Sequence, residues 1–271
     1  TAEASVASGA LPASAIVYLD PSRRPTQGKR MIDLAAYSPN PLAILPQLLT
    51  PNRWVLLKLS PMLDLTYLQR QLPAGYHIRV VAARNECKEL LVCYAPQFAG
   101  GRVTSAAWNL RGQWHQFIAP IAAPQPIPYW PEGQWLLEPD VSLYKADLLA
   151  AYFWHCFGAA CTYAGAPAQA SFWLSAHPPP ANFSGRVWTV MGYPPTSGRA
   201  LKRYLRQRRI QQAHILTRNY DRPVARIRAE LKLLENGPDW LLFTRTTAGE
   251  RRVYHAQLAS STAMSQPHLS A

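Results

Sequence analysis

The stretch IVYLDPSRR, residues 16–24, decides the fold. Ile16, Val17, Tyr18 and Leu19 follow one another with no polar position for a solvent face, so the run predicts a strand buried on both sides. Such strands belong to mostly parallel sheets with helices on their faces. Ligands of those sheets bind beyond the carboxyl ends of the strands. Here that end carries a carboxylate, a proline and two cations: Asp20, Pro21, Arg23 and Arg24.

Outward from this strand, RWVLLKLSP (53–61) and YHIRVVAA (76–83) read as second and third buried strands, and KELLVCYA (88–95) as a fourth. PLAILPQLL (41–49) is a short helix with Pro41 in its first turn, and Pro46 interrupts or bends it. MLDLTYLQRQL (62–72) places Leu63, Tyr67, Leu68 and Leu72 along one helical face. RVTSAAWNL and QWHQFIA add a two-stranded extension. Strand, helix, strand, helix, strand, strand predicts half of a parallel α/β sheet ending in an antiparallel pair, over residues 1–120.

The five prolines of residues 119–134 mark a linker. A segment over 125–178 follows, read as a loop at WLLEPD and a helix from about Pro139. SAHPPPANFSG (175–185) punctuates the chain again. Over 183–259 come a strand (RVWTVMGY), a helix capped by Ser197 (SGRALKRYLRQRRI), a strand (AHILTRNY), a helix opened by Pro223, and a hairpin turning at Ala248-Gly249. That order predicts a small α+β domain. Residues 260–271 read as a loose tail.

Charge narrows the function. The 271 residues hold 28 Lys/Arg against 15 Asp/Glu, a net +13, with 48% hydrophobic residues. Disorder is excluded by that hydrophobic content, and a polyanionic partner is favoured by the charge. Fifteen of the Lys/Arg, but only five of the Asp/Glu, lie between Arg186 and His255. Lys202, Arg206 and Arg209 fall at i, i+4 and i+7 of one helix, with Arg203 beside them and Arg218-Asn219 at a strand end. These are the candidate phosphate contacts of an RNA-binding surface. Cys87, Cys93, Cys156 and Cys161 form no CxxC pair, so no zinc site is expected, and reduced thiols place the chain in the cytoplasm. The charge-free segment 148–166 is read as a buried helix and loop rather than a membrane span. The start at Thr1 predicts that more protein precedes it.

At the predicted ligand edge, the second strand carries Lys58 and ends at Ser60, with Asp64 just beyond, and the third ends in Arg84-Asn85-Glu86-Cys87. Lys58, Ser60, Asp64, Asn85 and Glu86 are therefore target-pocket candidates beside Asp20–Arg24.

The runs YLDPSRR, KRMIDL, LLKLSPMLDL and VVAARNECKELL resemble the class I S-adenosylmethionine-dependent methyltransferases that carry a C-terminal THUMP-like domain. LLEPDVSLYKADLLAAYF is similar to the ferredoxin-like insert of that family. RVWTV, RALKRYLRQRRIQQAHILTRNY, PVARIRAELKL and DWLLFTRTT are similar to the THUMP-like domain itself. The resemblance implies the C-terminal half of a Rossmann-like methyltransferase sheet, a ferredoxin-like α+β segment and a THUMP-like domain. It implies S-adenosyl-L-methionine as cofactor, RNA (ribosomal or transfer) as substrate, and Asp20–Arg24 as the target-pocket motif of strand four. The motif departs from the acidic-Pro-Pro-aromatic pattern of amino-methylating enzymes, because Ser22 replaces the second proline and Arg23 the aromatic. A uracil C5 methyltransferase needs a cysteine nucleophile, for which Cys87 is the candidate, with Arg84 and Lys88 favouring its thiolate and Glu86 and Glu89 opposing it. The family's glycine-rich cofactor turn, expected after the first strand of the sheet, has no counterpart in this sequence. The alternative is a non-catalytic RNA-binding protein that keeps a methyltransferase-like scaffold; a membrane-surface role is disfavoured by the few large apolar residues behind the basic helix.

Overall fold

In the computed structural model the described residues are 11–12, 15–23, 33–110, 112–119, 134–158, 172–181, 183–245 and 249–259. They divide into two compact units: one holds the described residues up to 119 together with Val141–Leu148, and the other holds 134–140 and those from Leu149 on. The architecture is mixed α/β with two six-stranded sheets.

The first sheet is built from β1 (Ile16–Leu19), β4 (Trp54–Leu59), β5 (Tyr76–Ala83), β6 (Glu86–Tyr94), β7 (Arg102–Leu110) and β8 (Gln113–Ile118). β2 (Ser22–Arg23) and β3 (Tyr37–Ser38) form a separate two-stranded ladder just past β1. The six run in the order β1-β4-β6-β5-β7-β8. β1 pairs parallel with β4, and β5 parallel with β7, while β6 lies antiparallel between β4 and β5. All four of β1, β4, β5 and β7 therefore end at the same edge.

Short helices make the crossovers. α1 (Pro41–Leu48) is capped by Asn40, whose side chain accepts from the Leu42 amide, and it runs through Pro46 without ending there. α2 (Leu65–Gln71) is capped by Asp64, whose carboxylate accepts from the Tyr67 amide at 2.8 Å. Ile44, Leu45 and Leu48 of α1 and Leu65 and Leu68 of α2 are buried with Val55, Leu57, Ile78, Val80, Leu90 and Val92 of the sheet. α3 (Val141–Lys145) belongs to this unit, and its Lys145 ammonium donates to the Leu63 carbonyl at 2.6 Å. β5 and β6 meet in a two-residue turn, with Arg84 and Asn85 both at positive φ (55° and 58°) as a twisted hairpin requires.

The second sheet contains β9 (Trp135–Pro139), β10 (Trp173–Ser175), β11 (Gly185–Gly192), β12 (His214–Thr217), β13 (Asp239–Arg245) and β14 (Arg251–Leu258), in the order β10-β9-β11-β14-β13-β12. WLLEP is thus a strand, every residue of it buried, where the sequence predicts a loop. Segments 125–178 and 183–259 share this one sheet. α4 (Leu149–Phe157), α5 (Gly198–Gln207) and α6 (Val224–Leu231) complete the unit. On one face Leu201 and Leu205 of α5 and Ile227 of α6 pack with Leu241, Phe243 and Val253. On the other, Leu136, Phe172, Leu174 and Trp188 pack with Leu242 and Tyr254, the alternate positions of the same strands. Among the described residues no helix is long and apolar enough to cross a membrane. Ala248, Arg24, Cys161 and the tail 260–271 lie outside the described residues.

The first sheet carries one buried histidine. His77 Nε2 lies 2.7 Å from Ser105 Oγ, and burial, with the Arg79 cation adding to it, pushes the imidazole below its ordinary value of 6.5. A folded value below the unfolded one means the fold prefers the neutral ring. The stability this contributes is complete above pH 6.5 and is lost as pH falls through 6.5 toward the folded value. Denaturant unfolding from about pH 7.5 to about 5.5 is expected to show a falling midpoint that His77→Gln flattens. An undiminished fall in the variant would place the proton elsewhere.

Candidate functional site

Parallel β1 and β4 end side by side, and this brings Asp20 to Lys58. The Lys58 ammonium donates to Asp20 Oδ2 at 2.8 Å, with the two side chains 38% and 49% exposed. The hydrogen bond to Asp20, and then its negative charge, hold the ammonium above its ordinary value of 10.5. The pair borders a crevice of about 230 Å³, lined also by Pro21, Ser60, Pro61 and Lys88 and closed behind by buried Tyr37 and Leu59. Pro21 turns the chain into the β2–β3 ladder, where Ser22 pairs with Ser38 and Arg23 with Tyr37. Ser22 Oγ donates to the Ser38 carbonyl at 3.3 Å. The crevice thus presents a carboxylate that remains half-exposed while a cation fixes its direction, beside a hydroxyl and a second cation. That set can accept from an amine or hydroxyl and attract an anion.

The structure brings Asp20, Pro21, Lys58 and Ser60 together at the crevice, and Lys88, from the polar run that ends the third predicted strand, lines it too. Other candidates have structural partners instead. Asp64 caps α2. Asn85 fills the hairpin turn and accepts from the Val141 amide at 2.9 Å, which fixes the start of α3. Glu86 pairs with Lys88 at 2.5 Å on the surface. Cys87 is half-buried on β6 and is not among the residues lining the crevice. The donor set does not fit S-adenosylmethionine. The described glycines nearest this sheet are Gly75, Gly100 and Gly101, where β5 and β7 begin, and Gly112 in the β7–β8 turn, and none of them lines the crevice. Among the described residues no cluster of His, Cys, Asp or Glu could hold a metal ion.

The second unit sorts its cations into two sets. Arg222 and Arg226 pair with Glu230, Arg228 with Glu235, and Arg245 and Arg251 with Asp221. The hydrogen bond from Arg251 holds Asp221 below its ordinary range, and that from Arg222 does the same to Glu230. Arg186 and Arg218 both pair with Glu138, which is only 2% exposed. Arg218 is therefore committed to a buried carboxylate, and Asn219 beside it takes the left-handed turn at the strand end (φ 48°). By contrast Lys202, Arg203 and Arg206 stand exposed on α5 with no ion pair among the described residues. Arg209 is equally exposed but lies past the end of α5 at φ 56°, so the helical row is Lys202 and Arg206 alone.

Two features escape sequence reasoning. Glu138 sits next to a proline and looks like part of a loop. The second is a relay that fixes α5 to the sheet: Tyr204 Oη is 2.9 Å from His255 Nδ1, and His255 Nε2 is 2.9 Å from Asp239 Oδ1. With the carboxylate as acceptor, Nε2 carries the proton and Nδ1 accepts from the tyrosine hydroxyl. Burial raises that hydroxyl above its ordinary value of 10.0 and keeps it a donor. Gly192, at a bulge in β11, gives it room, since a Cβ there would lie 2.5 Å from Tyr204 Oη.

A family model described as "THUMP domain-like" matches residues 185–257. The solved structure of a "putative methyltransferase" from Porphyromonas gingivalis W83 superimposes with a TM-score of 0.74 at 25% identity, over 90% of this chain and 60% of that one. This chain thus spans well under two thirds of the length of the protein whose fold it shares. No curated protein matches its sequence. Residues 185–257 are a THUMP-like domain, and the sheet before them has a methyltransferase-like fold.

Two substitutions separate these features. Removing one partner of a fully buried ion pair costs about 3–5 kcal/mol. Arg186 and Arg218 rehydrate in part at 34% and 39% exposure, so Glu138→Ala is expected to lower stability by less than that, yet well beyond surface substitutions such as Arg226→Ala. Gly192→Ala is expected to cost about one hydrogen bond, roughly 0.5–1.5 kcal/mol, by displacing the Tyr204 hydroxyl. Urea unfolding of the three variants measures the order, and a Glu138→Ala no worse than Arg226→Ala contradicts it.

Proposed function

We propose that this chain is the acceptor-binding and RNA-binding part of an S-adenosylmethionine-dependent RNA methyltransferase. The observation that carries the reading is the crevice at the ends of β1 and β4, where Asp20 is held by Lys58 in a methyltransferase-like fold. Asp20 accepts a hydrogen bond from the group to be methylated and orients it. Lys58 holds the carboxylate in position, and Ser60 and Lys88 border the same space. Such positioning is where a methyltransferase's side chains contribute most of their effect. The methyl donor is expected from the family resemblance, and no step is assigned to it here because the crevice residues do not form its site. RNA as substrate is supported by the THUMP-like domain and by cations with no ion pair among the described residues, with Lys202, Arg203 and Arg206 of α5 and Arg209 just past it on phosphate. Cys87, Cys93 and Cys156, in no disulfide among the described residues, fit a cytoplasmic setting.

A second reading, a non-catalytic RNA-binding protein, is favoured by one observation: the described residues place no glycine turn beside the crevice. The two readings part in one experiment. The complete protein is incubated with methyl-labelled S-adenosylmethionine and cellular RNA, as wild type and as Asp20→Asn. Asp20→Asn is expected to lower label transfer by about 100-fold while RNA affinity stays unchanged. Undiminished transfer in the variant removes Asp20 from the site. RNA binding without any transfer by the wild type establishes the second reading.

A further inference from the structure

α5 and α6 leave a cleft of about 400 Å³ between their carboxyl ends, within the range of small-ligand pockets. Its floor is Leu205, Ile210 and Leu233, which belong to the core. Lys202 and Arg206 of α5 stand on one wall, and Lys232, the residue that ends α6, stands on the other. All three cations are exposed and have no ion pair among the described residues, although every arginine of α6 has a carboxylate partner. An apolar floor between three unneutralised cations is complementary to a flat apolar ring flanked by phosphates.

The position of Lys232 adds a second observation. It ends α6 in the left-handed conformation, at φ 56° and ψ 40°. Glycine is the favoured residue there, and a side chain costs on the order of 1 kcal/mol. Backbone bonds already complete the turn: the Lys232 amide donates to Arg228, and the Arg228 guanidinium donates to the Ala213 and Leu234 carbonyls. The lysine side chain has no part in that closure, and Lys232 lines the cleft together with Lys202 and Arg206 of α5.

We propose that this cleft is a nucleotide subsite for single-stranded RNA, taking one unpaired base against Leu205, Ile210 and Leu233 with the adjoining phosphates on Lys202, Arg206 and Lys232. The proposal rests on the RNA reading above and deepens it. A duplex lying along α5 would reach Lys202 and Arg206 but has no free base for the floor. An acidic peptide or a lipid headgroup would use the same cations, and competition by polyphosphate below reads that charge-only binding.

The test is fluorescence anisotropy of the protein with a labelled single-stranded oligouridylate, repeated over a range of salt. Lys232→Gly relieves the backbone cost, so its thermal stability is expected to equal or exceed that of the wild type. Its affinity is nevertheless expected to fall several-fold, and the slope of log affinity against log salt to shrink by about 0.7, the loss of one phosphate contact to a single strand. Duplex RNA of equal length and inorganic polyphosphate are expected to compete poorly. An unchanged slope in Lys232→Gly overturns the subsite while leaving RNA binding by the protein intact. Equal competition by polyphosphate or duplex overturns it too, by showing that charge alone is read. If the wild type binds no oligouridylate and no duplex, the RNA reading itself fails and takes the subsite with it.

Discussion

One buried carboxylate governs the second sheet. β9 lies between β10 and β11, so both of its edges are paired and neither faces water. A glutamate in such a strand carries a desolvation cost of several kcal/mol unless cations meet it. Glu138 is opposite Arg186 in the β9–β11 register, and Arg218, just after β12, reaches it as well at 2.9 Å. Arg186 in turn lies over the Trp188 ring, 5.4 Å from its centroid. The same carboxylate thus fixes register, because a slip of one residue would carry Glu138 to the opposite face and away from both guanidiniums. It also ties the end of β12 to β9, two strands that are not neighbours in the sheet. The THUMP-like residues 185–257 do not complete this sheet alone, since β9 and β10 come from the chain before them.

This explains which parts of the fold the sequence reveals. β4 and β5 are legible from their apolar runs, and β1 is legible as a strand but not in its burial: it is the edge of the sheet among the described residues, with Ile16 and Tyr18 exposed where the run predicts burial on both sides. α1 and α2 are legible because Asn40, Pro41 and Asp64 are capping residues in capping positions. β9 is not legible: Glu138, Pro139 and Asp140 in succession have the composition of a turn, and only arginines 48 and 80 positions away make the strand possible. The order of the first sheet is hidden as well. A two-residue hairpin tells that β5 and β6 are neighbours, yet not that β6 inserts between β4 and β5. The candidate site divides on the same line. Asp20 and Lys58 could be joined in advance, since parallel strands end at one edge. Asp64 and Asn85 could not be told from site residues, because a polar side chain that satisfies a helix start or a distant amide looks the same in sequence as one awaiting a ligand.

Charge gives the same lesson in energetic form. A count of fifteen cations against five acids says that neutralisation is incomplete, without saying where. In the structure Asp221 and Glu230 each draw in two arginines, which gathers the pairs around β12, α6 and the β13–β14 hairpin. Among the described residues much of the surplus is left on α5, with Arg209 just past it and Lys232 at the end of α6. Exposed pairs of this kind add little stability, so their effect is mainly to remove candidates from the anion-binding surface. Arg218 is the instructive case: its position in TRNY, at a strand end, suggests an RNA contact, and Glu138 already holds it.

What remains on α5 is presented rigidly. Leu201 and Leu205 bury its inner face, and Tyr204, between them in sequence, is hydrogen-bonded to His255 and through it to Asp239. A disordered basic tail of equal charge would lose conformational entropy on meeting a polyanion. Lys202 and Arg206 have lost most of theirs at the backbone already, so more of a contact with a polyanion there would survive as affinity. The same helix ends with Arg206 in its last turn, where the helix dipole favours a cation and holds the local charge in place without a carboxylate. A helix that needs no acid partner can keep its cations for another molecule, and that is the physical reason to look for the anion there rather than along the paired arginines of α6.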